Sequence, residues 1–122
     1  MKLKNGEIFY AAQPLRRLIG EKFPLKTSYE LATLVNKLAN QLAIIEDVRQ
    51  GLLRKYGDKN PQGQYAITLD SENWDKFGEE INELFDQEVE VELERVKLPD
   101  NTNSPIEIEP SVLMALERFI EM

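Results

Sequence analysis

Residues 27–56 read TSYELATLVNKLANQLAIIEDVRQGLLRKY, and the fold follows from this stretch. Leu31, Leu34, Val35, Leu38, Leu42, Ile45, Val48, Leu52 and Tyr56 recur in it at steps of three and four. An α-helix turns once in about 3.6 residues, so that spacing lines these side chains along one stripe. The stretch is expected to form one long amphipathic helix, roughly 45 Å at about 1.5 Å per residue. Thr27 or Ser28 stands where an N-cap oxygen is wanted, with Glu30 at the capping-box position relative to Thr27. Gly51 weakens the far end, and Gly57 is the expected C-terminal stop. Ala32, Ala39 and Ala43 beside the stripe permit close helix approach.

Upstream, Ile8, Ala11, Ala12, Leu15, Leu18 and Ile19 share a face of a helix expected from Glu7 to Gly20. Pro14 lies inside it, removes a backbone donor, and is expected to kink or split it near Gln13, at a cost of about 3 kcal/mol. The link Glu21 to Lys26 is short, so the two helices should be antiparallel neighbours. Lys2-Leu3-Lys4 reads as a short edge strand, with Asn5-Gly6 as a turn or helix entry. The first helix covers only part of the second. Two readings of Leu31, Leu34, Val35, Leu38, Leu42 and Ile45 therefore stand side by side: intrachain core, or a seam that meets a partner or a second copy of the chain.

Downstream, Asp58 to Gln64 is dense in turn formers and reads as an exposed loop. Tyr65 to Leu69 is a strand candidate, and Asp70 or Ser71 should cap a helix carrying Trp74, Phe77, Ile81, Leu84 and Phe85 on one face. Glu72, Asp75, Glu79, Glu80 and Glu83 form an acidic opposite face. The period then changes to two: Glu88, Glu90, Glu92 and Glu94 alternate with Val89, Val91 and Leu93, a half-buried strand. Val96 and Leu98 fall out of step, which predicts a bulge or bend at Glu94-Arg95. A loop from Pro99 to Pro105, a short strand Ile106-Glu107-Ile108, and a final helix opened by Pro110 complete the chain. That helix carries Val112, Leu113, Leu116, Phe119 and Ile120 on its apolar side. The expected class is α+β in a single domain over 1–122: a helical hairpin at about 6–57, a loop at 58–64, and a small α/β part at 65–122.

Composition narrows the function. The chain has 122 residues, with neither cysteine nor histidine, which removes thiol chemistry, the usual nucleophile–base pairs and most zinc sites. Its glycines form no phosphate-cradling loop. The row Glu88, Glu90, Glu92 and Glu94 reads as a solvated strand face, because a hard-cation site needs oxygens converging from several elements. An enzyme is not expected, nor a cofactor or metal. The net charge of −7 divides unevenly: ten Lys or Arg against five acids in residues 1–56, and five against seventeen in 57–122. Two readings follow: the halves attract each other within the fold or across an oligomer, or the acidic half faces a basic partner. Direct nucleic-acid binding is not expected, since no concentrated basic patch is present. No signal-like or membrane-spanning apolar run occurs, so the expected home is cytoplasm.

Several stretches together resemble one family. They are Leu3-Lys4-Asn5-Gly6-Glu7-Ile8, Phe23-Pro24-Leu25-Lys26-Thr27-Ser28-Tyr29, Lys55-Tyr56-Gly57-Asp58, the Glu88–Leu93 strand, and Met114-Ala115-Leu116-Glu117. The family is one of small phage and prophage proteins of unknown function, common in phages of Gram-positive bacteria. The likeness spans nearly the whole chain and departs at Pro14, where an uninterrupted first helix is the family expectation. It implies a viral context and carries no catalytic residue. Two functions are then expected: a virion-associated or assembly protein that docks onto phage structural proteins or oligomerises, and an acidic inhibitor of a host defence or nucleic-acid enzyme.

Overall fold

In the computed structural model, which describes residues 1–99 and 110–121, the long stripe becomes a helix of 32 residues, Leu25–Tyr56. Before it come strand β1 (Lys2–Lys4) and helix α1 (Asn5–Ile19), so the long helix is α2. After it follow β2 (Asp58–Lys59), β3 (Tyr65–Ala66), α3 (Trp74–Asp86), β4 (Glu88–Glu90), β5 (Val96–Lys97), α4 (Pro110–Ala115) and β6 (Ile120–Glu121). The architecture is α+β, with helices dominating and three two-stranded sheets among the described residues.

α1 and α2 pack as antiparallel neighbours. Asn5, at the start of α1, accepts a hydrogen bond from Gln41 Nε2 at 3.0 Å, while Ile19, at its end, shares a cavity with Leu31 and Val35. α1 is one helix through Pro14, not two. Tyr10, whose carbonyl lacks the donor that Pro14 removes, lies on the solvent side of the helix, where water can substitute. α2 begins three residues earlier than a Thr27 cap implies, with Pro24 at the N-cap position. Pro24 supplies a preset φ of −55° and the Ser28 N–H donates to its carbonyl at 3.0 Å, so Thr27 is a buried helical residue and caps nothing.

At the other end Gly57 stops α2, but through extended backbone (φ −92°, ψ 179°) and not the left-handed turn expected of a glycine. Its small size has a different use. A Cβ there would lie 2.4 Å from the Ala66 carbonyl oxygen and 2.7 Å from that of Leu53, so only glycine lets β3 approach the helix end. The segment read as loop 58–64 is mostly a hairpin: β2 pairs antiparallel with β3, Asp58 opposite Ala66 and Lys59 opposite Tyr65. Asn60 Oδ1 accepts from the Gln62 and Gln64 N–H groups, and Gly63 closes the turn at φ +84°. The expected strand Tyr65–Leu69 contributes only its first two residues to the ladder.

β4 returns to the N-terminus and pairs antiparallel with β1, setting Lys2 opposite Glu90 and Lys4 opposite Glu88. This pairing crosses the boundary placed at 58–64, so the helical hairpin and the α/β part share a sheet. The Glu88–Leu93 alternation survives in burial, with Leu93 inside and Glu92 and Glu94 outside, although the ladder stops at Glu90. One residue beyond the ladder, the Met1 carbonyl takes the Val91 N–H at 2.9 Å. The phase shift at Glu94-Arg95 is where the chain changes sheets, not a bulge within one: Val96 pairs next with Ile120, in parallel with β6. Arg95 fixes that junction, donating from Nη2 to the carbonyls of Glu117 and Ile120, both at 2.8 Å. α4 ends at Ala115; Leu116 and Phe119 are buried in the turn that follows, and Ile120 enters β6. The expected loop beyond Pro99 and the expected strand Ile106–Ile108 lie outside the described residues.

One buried cluster joins these parts, drawing on Leu3, Ile8, Leu15, Leu18, Leu31, Leu34, Leu38, Ile45, Leu84, Val96 and Phe119. Leu31, Leu34, Leu38 and Ile45 are at most 4% exposed, and Val35 and Leu42 are half-buried against the same cluster. These residues belong to the intrachain core, covered by α1, α3 and the β5–β6 sheet, while Val48 farther along the stripe is 43% exposed.

Candidate functional site

An open groove lies where that core runs out. Beyond Ile45, α2 continues for three more turns, and its flank there meets the β2–β3 hairpin and the N-terminal half of α3 around a groove of about 810 Å³. α2 contributes Arg49, Gln50, Leu53 and Arg54, the hairpin Gly63 to Ala66 with Ile67 behind it, and α3 Trp74 and Phe77. No Asp or Glu lines it, in a chain where acids outnumber bases by seven.

Each wall is fixed by local chemistry. Asn73 Nδ2 donates to the Tyr56 carbonyl at 3.3 Å, tying the entry of α3 to the end of α2. The Ser71 hydroxyl accepts from the Asn73 N–H at 3.2 Å and so organises the turn before α3 instead of capping the helix itself. Lys55 Nζ lies 3.5 Å from Glu80 Oε1 and 4.9 Å from the Tyr56 ring centre. Tyr56 first, and Glu80 after it, hold the Lys55 ammonium above the ordinary lysine range. Trp74 and Phe77 stack at 6.2 Å between ring centres, half-buried against α2 and open on the groove side.

Arg49 is the most constrained cation in the groove. Its Nη2 donates to Glu46 Oε2 at 3.2 Å, and its guanidinium carbon sits 5.7 Å from the Phe9 ring centre. Its Nε is buried and has no hydrogen-bond partner. Arg54 is exposed and makes no ion pair among the described residues.

The acidic candidates do not act as one face. Asp75, Glu79 and Glu83 are exposed on α3 without ion-pair partners among the described residues, and Glu72 is exposed in the turn before the helix. Glu80 is turned inward toward Lys55, with its second oxygen buried and unbonded. The structure thus brings three of the five together and separates two. No group of three or more acidic residues among the described residues converges as a metal site would.

Sequence reading missed the groove. Arg49 and Arg54 entered it only as counted charge, and Trp74 and Phe77 only as part of one apolar helix face. The available signal was two arginines on the flank of the stripe, near the C-terminal end of α2. The chain matches no protein-family model, no curated protein and no solved structure.

Proposed function

We propose that this chain is a phage-encoded protein-binding protein that performs no catalysis, an assembly or virion-associated accessory factor acting in the cytoplasm of the bacterial host. The observation that carries the reading is the composition of the groove. Arginine, tryptophan and tyrosine are the residues that most often dominate protein–protein binding energy, and here they line an open concave surface left over from core formation. The phage context rests on the resemblance of the quoted motifs. The reading requires no cofactor, nucleic acid or membrane; no helix among the described residues is long and apolar enough to cross one.

The test uses the tagged full chain as bait in a lysate of phage-producing host cells, read by mass spectrometry. Head, neck or tail proteins should be captured by the wild type and lost with Arg54→Glu. Capture no different from bare resin would overturn the reading. The carboxylates Asp75, Glu79 and Glu83, exposed and without ion-pair partners among the described residues, favour a second reading, an acidic inhibitor of a basic host enzyme. In that case one basic host protein is recovered, and Glu79→Lys with Glu83→Lys releases it.

A further inference from the structure

We infer that the groove receives an acidic peptide segment of a partner protein, one that also presents aromatic or aliphatic side chains. This rests on the protein-binding reading and specifies its chemistry. Three properties of the groove argue for it. Its formal charge is positive only, from Arg49 and Arg54, on a chain of net charge −7. Arg54 is exposed and has no ion-pair partner among the described residues, so its guanidinium still has hydrogen bonds to give to a carboxylate, while Arg49, held by Glu46, adds positive charge to the wall. The remaining surface is apolar and aromatic through Leu53, Ile67, Trp74 and Phe77, with the Gln50 and Gln64 amides placed to meet a peptide backbone.

The same groove disfavours a nucleic acid. Two cations offer little to a continuous row of phosphates, and the exposed Asp75, Glu79 and Glu83 on α3 repel an extended polyanion that a short peptide with one or two carboxylates would avoid. The occupant is accordingly a segment of limited charge, held by charge-assisted hydrogen bonds at one edge and by ring contacts along the floor.

Trp74 is the only tryptophan of the chain and lines the groove, so its fluorescence reports occupancy directly. The full-length protein is titrated with a soluble blocked peptide of glutamates interspersed with leucine and phenylalanine. Parallel titrations use the same peptide with lysine for glutamate and a single-stranded DNA oligonucleotide. The expected result is a saturable change in Trp74 emission with the glutamate peptide alone. The Kd should rise about tenfold or more in Arg54→Glu, and likewise at about 0.5 M salt. Arg54 is exposed, so this variant should keep the wild-type circular dichroism. The inference is overturned by no saturable response up to about 1 mM peptide, by an equal response to the lysine peptide, by an unchanged Kd in Arg54→Glu, or by tighter binding of the oligonucleotide. Concentration-dependent dimerisation that buries Trp74 would overturn it too, since the occupant would then be a second copy. If the lysate experiment still captures a phage protein while the peptide is silent, the peptide chemistry fails and the protein-binding reading stands.

Discussion

The two ends of α2 carry the same apolar rhythm and meet different surroundings. From Leu31 to Ile45 the stripe is sealed by α1, α3 and the β5–β6 sheet, and its leucines join the main cluster. From Glu46 to Tyr56 α1 offers the Phe9 ring beside Arg49, and the groove walls come from α3 and a hairpin of two residue pairs; Leu53, though buried, stands outside that cluster, and arginines take up the flank. Helical periodicity thus fixes which side of a helix faces the protein, while the amount of cover is decided by elements far away in sequence. The part with full cover becomes core, and the part with partial cover becomes the groove.

The sharpest way to break this comparison is to remove one leucine from each end. Leu38→Ala should cost about 2–5 kcal/mol, because the surrounding layers can collapse only partly into the space. Leu53→Ala should cost clearly less, since its surroundings open onto the groove and can relax or admit water. Urea denaturation of both variants measures the difference. Equal losses would mean that the two ends are equally well packed. At the junction, Asn5 is 3% exposed, donates from Nδ2 to the Leu84 carbonyl at 3.0 Å and accepts from Gln41. Asn5→Ala leaves the Leu84 carbonyl with only the long 3.4 Å bond from the Gln87 N–H and takes away the acceptor of the Gln41 amide, so it should cost about 1–3 kcal/mol in the same assay.

Gly57→Ala tests the groove end alone. The added methyl cannot coexist with the Ala66 carbonyl at 2.4 Å, so the hairpin must move away from α2. A loss of about 1–3 kcal/mol is expected. Amide chemical shifts should change from Asp58 to Ile67, with the Leu31–Ile45 core unmoved. A variant with wild-type shifts in the hairpin would show that the close approach is dispensable.

Much of the architecture was legible in the residues. The α2 stripe, the alternating strand at Glu88, and the phase shift at Arg95 each follow from local periodicity, and each has a counterpart in the structure. The β2–β3 hairpin was present as a signal too, since Asn60-Pro61-Gln62-Gly63 has proline at the second and glycine at the fourth turn position, but the short strands beside it carry no alternation. The groove was not legible, because it depends on where α3 docks. Its aromatic residues, at helical spacing, look the same in sequence whether they are sealed or open. The separation of Glu80 from Glu79 and Glu83 is hidden for the same reason: only the position of Lys55 across the helix interface distinguishes it.

That separation yields a smaller effect. Glu79→Lys with Glu83→Lys changes exposed residues without partners and should leave stability within about 0.5 kcal/mol, whereas Glu80→Lys sets two ammonium groups together and should cost more. Thermal melts of the two variants at low salt decide it, and identical melting temperatures would show that the Lys55–Glu80 pair contributes nothing.

The smallest effect lies at the lip between the hairpin and α3. Thr68 Oγ1 donates to Asp70 Oδ1 at 2.5 Å, and this bond, followed by one from the Asp70 backbone N–H, holds the carboxyl below the ordinary aspartate range. A depressed folded-state pKa means that the unfolded chain binds the proton more readily. The associated stability is present above the unfolded pKa and is lost as pH falls through the folded one. The window is therefore acidic, below the usual aspartate titration, and the turn should hold its shape throughout neutral pH. Thr68→Val removes the hydroxyl while keeping the branched shape, so the Asp70 carboxyl, followed by NMR, should titrate at higher pH than in the wild type. An unchanged titration would place the cause in the backbone alone. The core half of α2 offers no parallel among the described residues, because its buried face carries no ionisable side chain from Leu31 to Ile45.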